Sequence, residues 1–276
     1  MRIATISDIH FAGAPAGQFD VRPVVEAFVD WANRIDVDLL LDLGDRIDDI
    51  DRAVDLENAE ALARIFERFE GRRIHLLGNH DVVNLTGEDH RQLFGRLPGH
   101  QAIDLGECRL LAWEPSVVLD RRLGFPPTGQ ELEWLTQALE SDDRPAIIVT
   151  HIPVSGAAMT GNYYFENNPD FATYPDHAEI RRAVEDTGRT ALWLSGHVHW
   201  NSTANVGGVR YLTVQSASET YTTMPDPACT YALLEIEQST ARLEVFGRDP
   251  MRVEMPFRAS GSSPWPQPRP RVARAE

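Results

Sequence analysis

Residues 2–10, RIATISDIH, pass from a run of branched apolar residues straight into a carboxylate and an imidazole, Asp8 and His10. A short apolar run bounded by polar residues reads as a buried strand. The arrangement recurs along the chain. LLLDLG (39–44) precedes Asp45, IHLLG (74–78) precedes Asn79, His80 and Asp81, AIIVT (146–150) precedes His151, and ALWLSG (191–196) precedes His197 and His199. Ligand sites of α/β sheets form at the carboxyl ends of the strands, so five strand ends would deliver these polar residues to one place.

Between the strands lie amphipathic segments. Asp20 is placed to cap a helix with Pro23 in its first turn, followed by the stripe Val24, Val25, Phe28, Val29 and Ala32. Leu62, Ile65, Phe66 and Phe69 repeat the spacing, as do Leu132, Leu135 and Leu139 after Thr128. Asp176 and Glu179 resemble a capping box before Ile180, Ala183 and Val184, with Gly188 as the stop. Strand and helix alternating in this way predict an α/β domain. Beyond His199 the texture changes to strands over 209–215, 231–237 and 241–246 without helices, which predicts a second, mixed or antiparallel sheet. A catalytic domain is expected over 1–248, and over 249–276 a Pro- and Arg-rich tail, poorly ordered or extended.

Bulk properties narrow the function. The 276 residues are 42% hydrophobic and 25% charged, ordinary for a globular protein and unlike a disordered one. A net charge of -16 disfavours long nucleic acids, which are bound through basic surfaces, and suits a protein that gathers divalent cations, although acidic surfaces more often serve only solubility. No apolar run approaches membrane-spanning length, and MRIATISDIH lacks the apolar core of a signal peptide. Cys108 and Cys229 alone do not make a disulfide framework, so a reducing cytoplasm is expected.

Each polar motif taken singly has an ordinary explanation. An Asp after a strand is more often a turn residue than a ligand, and a lone His151 before Ile152-Pro153 would usually be structural. Gly196-His197-Val198-His199 is more pointed, because two imidazoles two residues apart on an extended segment share one side. Five such motifs in order, all at strand ends, are poorly explained by accident.

The ordered set D-x-H, G-D, G-N-H-D, H-x-P and G-H-x-H resembles the calcineurin-like metallophosphoesterase superfamily from Met1 to His199, and within it most resembles bacterial cyclic-nucleotide and glycerophosphodiester phosphodiesterases. The resemblance implies a four-layer αββα sandwich, two mixed β-sheets face to face with helices outside. It implies that Asp8, His10 and His199 hold one metal, that Asn79, His151 and His197 hold the other, and that Asp45 bridges them together with a solvent hydroxide. His80, supported by Asp81, would sit over the substrate phosphate as a catalytic group. The mixed Asp, His and Asn set suits two divalent or mixed-valence transition metal ions (Mn, Fe, Zn or Co) better than calcium, which prefers all-oxygen shells.

Protein Ser/Thr phosphatases of that superfamily carry G-D-x-V-D-R-G and G-N-H-E, whereas this chain reads GDRIDDI (44–50) and GNHD (78–81), which argues against a phosphoprotein substrate. Arg46 and Asp48 are expected at the cleft mouth or exposed to solvent. The aromatic, amide-rich segment 161–177 is expected either as a rim contacting the organic part of the substrate or as a packing or homo-oligomer contact. His75, His90, His100 and His177 match no motif position and are expected to be structural or at the surface. The expected activity is hydrolysis of a small phosphodiester, with no membrane partner. A phosphomonoesterase with the same site and an inactive binding scaffold are the alternatives.

Overall fold

In the computed structural model, which describes residues 1–13, 19–95, 98–157 and 159–262, twelve strands form two six-stranded sheets. One half of the first sheet is β1 (Arg2–Ile6), β2 (Leu39–Asp42) and β3 (Arg72–His75), all parallel. Its other half, β10 (Tyr231–Glu237), β11 (Thr240–Phe246) and β12 (Met251–Pro256), joins β1 antiparallel, giving the order β12-β11-β10-β1-β2-β3. The second sheet has the order β4-β5-β6-β7-β9-β8. Its parallel centre is β5 (Arg109–Ala112), β6 (Ala146–Val149), β7 (Thr190–Ser195) and β9 (Val209–Thr213). Its antiparallel edges are β4 (Gln101–Asp104) and β8 (Ser202–Val206).

Strand periodicity sorts the apolar residues into three layers. Leu39 and Leu41 of β2, Ile147 and Val149 of β6, and Leu234 and Leu243 meet between the sheets. Leu40 faces the other way, onto Val25, Phe28 and Val29 of α1 (Arg22–Arg34) and Leu62 and Phe66 of α2 (Arg52–Phe66). Ile148, Trp113 and Trp193 pack outward against Leu135 and Leu139 of α4 (Gln130–Glu140) and Ile180 and Val184 of α5 (His177–Thr187). A side chain buried on each face explains why these strands read as continuous apolar runs. The four layers match the expected αββα sandwich.

Some local expectations change. The strands beyond His199 do not form a sheet of their own: β8 and β9 extend the second sheet, and β10 to β12 complete the first. Strand β12 lies where a tail was expected. Its Met255 and the following Phe257 are buried in the inter-sheet core, which holds the segment down despite its polar neighbours. The tail residues 263–276 lie outside the described residues. A short helix not expected from sequence, α3 (Gly87–Phe94), is set off by a Thr86–Asp89 capping box. Asp176 makes no capping bond to α5. Its carboxylate instead accepts the amide and hydroxyl of Thr128, tying α5 to the start of α4. Among the described residues, no helix is long and apolar enough to cross a membrane.

Candidate metal centre

The loops leaving β1, β2, β3, β6 and β7 meet at one edge of the sandwich. Asp8, Asp45, Asn79, His151 and His197 are all buried there, with His10 and His199 nearer the solvent. Asp8, His10, Asp45 and His199 form one group and Asp45, His151 and His197 another, the donor atoms of each lying within 4.8 Å of one another. Asp45 belongs to both. Its Oδ2 stands 3.8 Å from His10 Nε2 and 3.2 Å from His151 Nε2, and Asn79 Oδ1 is 3.3 Å from the same His151 nitrogen. All seven expected ligands are therefore brought together.

The backbone is bent to achieve this. Asp8, His10, Asp45, His197 and His199 all adopt positive φ between 47° and 68°, a region that residues with a side chain enter at a cost of order 1–3 kcal/mol each. Packing must hold them there. The motif glycines are dictated by the same crowding: a Cβ on Gly78 would overlap Asp45 Oδ1, and one on Gly196 would overlap Ser7 Oγ and come within 2.6 Å of Asp8 Oδ2.

Every imidazole of the centre is anchored from outside. His10 Nδ1 meets Asp48 Oδ1 at 2.8 Å and His199 Nδ1 meets Glu219 Oε2 at 3.1 Å. His151 Nδ1 donates to the Leu43 carbonyl at 2.9 Å, and His197 Nε2 to that of Phe171 at 2.7 Å. A carbonyl can only accept, so in the neutral ring of His197 the opposite nitrogen, Nδ1, carries the lone pair, while His151 Nε2 faces Asp45 and Asn79. Anchoring of this kind fixes the tautomer of metal-ligating histidines. The Nε2 atoms of His10 and His199 approach to 2.9 Å, so both rings turn the same nitrogen to one point beside Asp8 and Asp45.

Charge reinforces the point. Burial alone would raise the Asp45 carboxyl pKa, but the rings of His151 and His10 hold it well below the usual carboxylate range. Against its own burial, His151 is pushed up to about 9 by Asp45. His197 is pushed down to about 3 by burial and by neighbouring His151, so its ring is neutral with Nδ1 free. Imidazole nitrogens, carboxylates and one amide oxygen make a donor set suited to two transition-metal cations sharing Asp45.

His80 lies beside the centre, its ring edge-on to that of His10 with centroids 4.8 Å apart. The expectation that Asp81 supports it is not met. His80 Nδ1 pairs with Asp49 Oδ1 at 2.8 Å, while Asp81 points inward and accepts the amides of Asp45, Arg46 and Gly78 at 2.9–3.0 Å. Successive loop residues face opposite ways, so Asp81 organises the loops and Asp49 orients His80. The exposure expected for Arg46 is also overturned: its guanidinium is 1% exposed, bound to Asp42 at 2.8 Å and the Leu76 carbonyl at 2.6 Å, and 3.3 Å from Asp81. His75 and His90 serve the same buried network, through Asp42 and the Asp81 carbonyl respectively.

A cleft of about 570 Å³ opens over Asp45, Asn79, His80, His197 and His199, rimmed by Leu119, Arg121, Tyr163, Tyr164, Phe171 and Tyr221. The segment 161–177 therefore does reach the centre. Its Phe165 turns inward against the His197 ring and Val198, whereas Tyr163 and Tyr164 remain exposed. Asp49, Glu219 and Tyr221 went unassigned in the sequence because they occupy no motif position. Only the apposition of Glu219 with His199, twenty residues earlier, reveals it.

Comparison with known proteins agrees with this geometry. The family model described as calcineurin-like phosphoesterase matches residues 1–201. A dimetal phosphatase from Danio rerio superposes with a TM-score of 0.73 at 14% identity, covering 93% of this chain and 98% of that one. The purple acid phosphatase PPD1 from yellow lupin gives 0.69 at 14% identity, over 100% of this chain but 57% of its own length. GAP50, the anchor in the inner membrane complex of Plasmodium, gives 0.63 at 12% identity over 94% and 89%. At such identities the likeness is one of fold. No curated protein matches the chain.

Proposed function

Because the chain belongs to the calcineurin-like phosphoesterase family, we propose that it is a two-metal hydrolase acting on small phosphodiesters. The observation that carries this reading is Asp45 Oδ2 standing between His10 and His151, so that one carboxylate serves both halves of the donor set. Asp8, His10 and His199 would hold one cation and Asn79, His151 and His197 the other. When bound, two such cations supply an activated water and neutralise charge on an in-line phosphoryl transition state.

The remaining steps belong to side chains. Asp49 fixes His80 with Nδ1 engaged and Nε2 free beside the cleft. A carboxylate at Nδ1 favours the doubly protonated ring, whose Nε2–H would then be available to the departing alkoxide. His80→Ala is expected to reduce kcat by about 10²–10⁴-fold with bound metal unchanged. Asp49→Asn should move kcat in the same direction, whereas Asp81→Asn should act on metal retention and stability. The same loss of kcat without loss of metal in Asp81→Asn would reverse the two roles.

A diester is favoured over a monoester by the rim. Among the described residues that line the cleft, Arg121 is the one arginine or lysine, and Leu119, Tyr163, Tyr164, Phe171 and Tyr221 offer apolar faces for organic groups. That surface fits a singly charged phosphate esterified on both sides. Turnover of an aryl phosphodiester against the matching monoester tests it, and preference for the monoester would favour the alternative reading. Replacing Tyr163 and Tyr164 by Ala should raise KM for aryl diesters severalfold while sparing metal content; an unchanged substrate profile would remove the rim from substrate recognition. The free thiols Cys108 and Cys229 suit a proposed cytoplasmic setting.

A further inference from the structure

The loop after β9 holds a group that no motif marks. Ser216 Oγ donates to the Asp8 carbonyl at 2.7 Å and accepts the Glu219 amide at 3.1 Å, while the Ala217 amide donates to the Ser7 carbonyl at 3.0 Å. The backbone of Glu219 is thereby fastened to the loop that carries Asp8 and His10. On the far side, the Ala228 amide donates to the Glu219 carbonyl at 2.7 Å, closing the loop on itself. The Glu219 carboxylate is divided between two tasks. Oε1 accepts the Thr220 amide at 2.6 Å, and Oε2 meets His199 Nδ1 at 3.1 Å.

The contacts continue outward. The Tyr221 ring stacks near that of His199, with centroids 6.2 Å apart and planes 22° from parallel. Tyr163 from the aromatic rim hydrogen-bonds the Tyr221 hydroxyl, and the two rings meet edge to face at 3.7 Å. Side chains thus run from the exposed rim, Tyr163, through Tyr221 to the ring of His199, whose Nδ1 is held by Glu219.

We infer that Glu219 is the positioning residue for His199, setting its Nε2 toward the Asp8–His10 half of the centre, and that Tyr221 links this setting to the substrate rim. The inference rests on the two-metal reading and deepens it. Asp48 gives His10 a comparable carboxylate on the His80 side of the cleft, whereas Glu219 serves His199 on the side of Tyr221 and the aromatic rim. Removing such an outer partner costs about 10–100-fold in metal affinity, and here the cost falls on one cation of the two.

Titration of the metal-stripped full chain with Mn²⁺ or Zn²⁺, followed by calorimetry and by metal analysis after gel filtration, tests this. In wild type two sites fill. In Glu219→Gln one site should weaken by about 10–100-fold while the other is unchanged, with the melting temperature of the metal-free protein preserved. Tyr221→Phe should weaken the same site by less and raise KM for an aryl phosphodiester more than it lowers kcat. Should Glu219→Ala misfold, the isosteric Gln variant still decides. Two sites of wild-type affinity in Glu219→Gln would overturn the inference and leave the two-metal reading standing. A wild-type chain that binds no metal would overturn both.

Discussion

Asp45→Asn is expected to abolish hydrolysis in a protein that still folds. The substitution keeps the volume and one acceptor oxygen, so the 2.9 Å bond from the His80 amide can persist. It removes the negative charge that two sets of donors share, and a neutral amide bridges two cations poorly. Losing even an outer partner of a ligand costs about 10–100-fold in metal affinity, so losing a shared anionic ligand should cost more than about 100-fold for each cation. Activity should fall in parallel and should not return with a large excess of metal. Near-normal kcat in Asp45→Asn would remove the carboxylate from the centre of the mechanism.

The largest effect on stability is expected at Arg46. Its guanidinium neutralises Asp42 and Asp81, both fully buried, and lies over the Phe94 ring at 4.5 Å. Burial would raise the Asp42 pKa, but Arg46 and His75 hold it below its ordinary value, so the carboxylate depends on these partners. Deleting one partner of a buried ion pair leaves an uncompensated charge, at a cost of about 3–5 kcal/mol. Arg46→Met should therefore lower the melting temperature by roughly 6–20 °C for a chain of this size. Asp81 also holds the Asp45 and Gly78 amides, so the variant should lose metal affinity as well as stability. A melting temperature within a degree or two of wild type would mean that the network contributes little.

These two residues show what sequence reasoning reaches. Strand ends bearing Asp8, Asp45, Asn79, His151 and His197 were legible because strand periodicity and the strand-end rule act locally and together. The direction of a loop side chain is not local. In the sequence Asp81 stands next to His80 and Asp48 beside Asp49, yet Asp48 supports His10, Asp49 supports His80, and Asp81 is buried under the loops. Arg46 reads as a surface residue until Asp42, the Leu76 carbonyl and Asp81 are seen to surround it. Strand partnership is equally non-local: β10 and β11 alternate like part of a separate sheet, but their apolar faces, with that of β12, complete the layer begun by β1. The edge strands β4 and β8 escaped notice because edges carry polar residues on their open sides.

Elemental analysis of the purified full chain, coupled to hydrolysis of an aryl phosphodiester before and after chelation, tests the central claim most directly. Two transition-metal equivalents per chain are predicted, with activity lost on stripping and restored in step with their return. Full activity in a protein shown to be free of metal would contradict it.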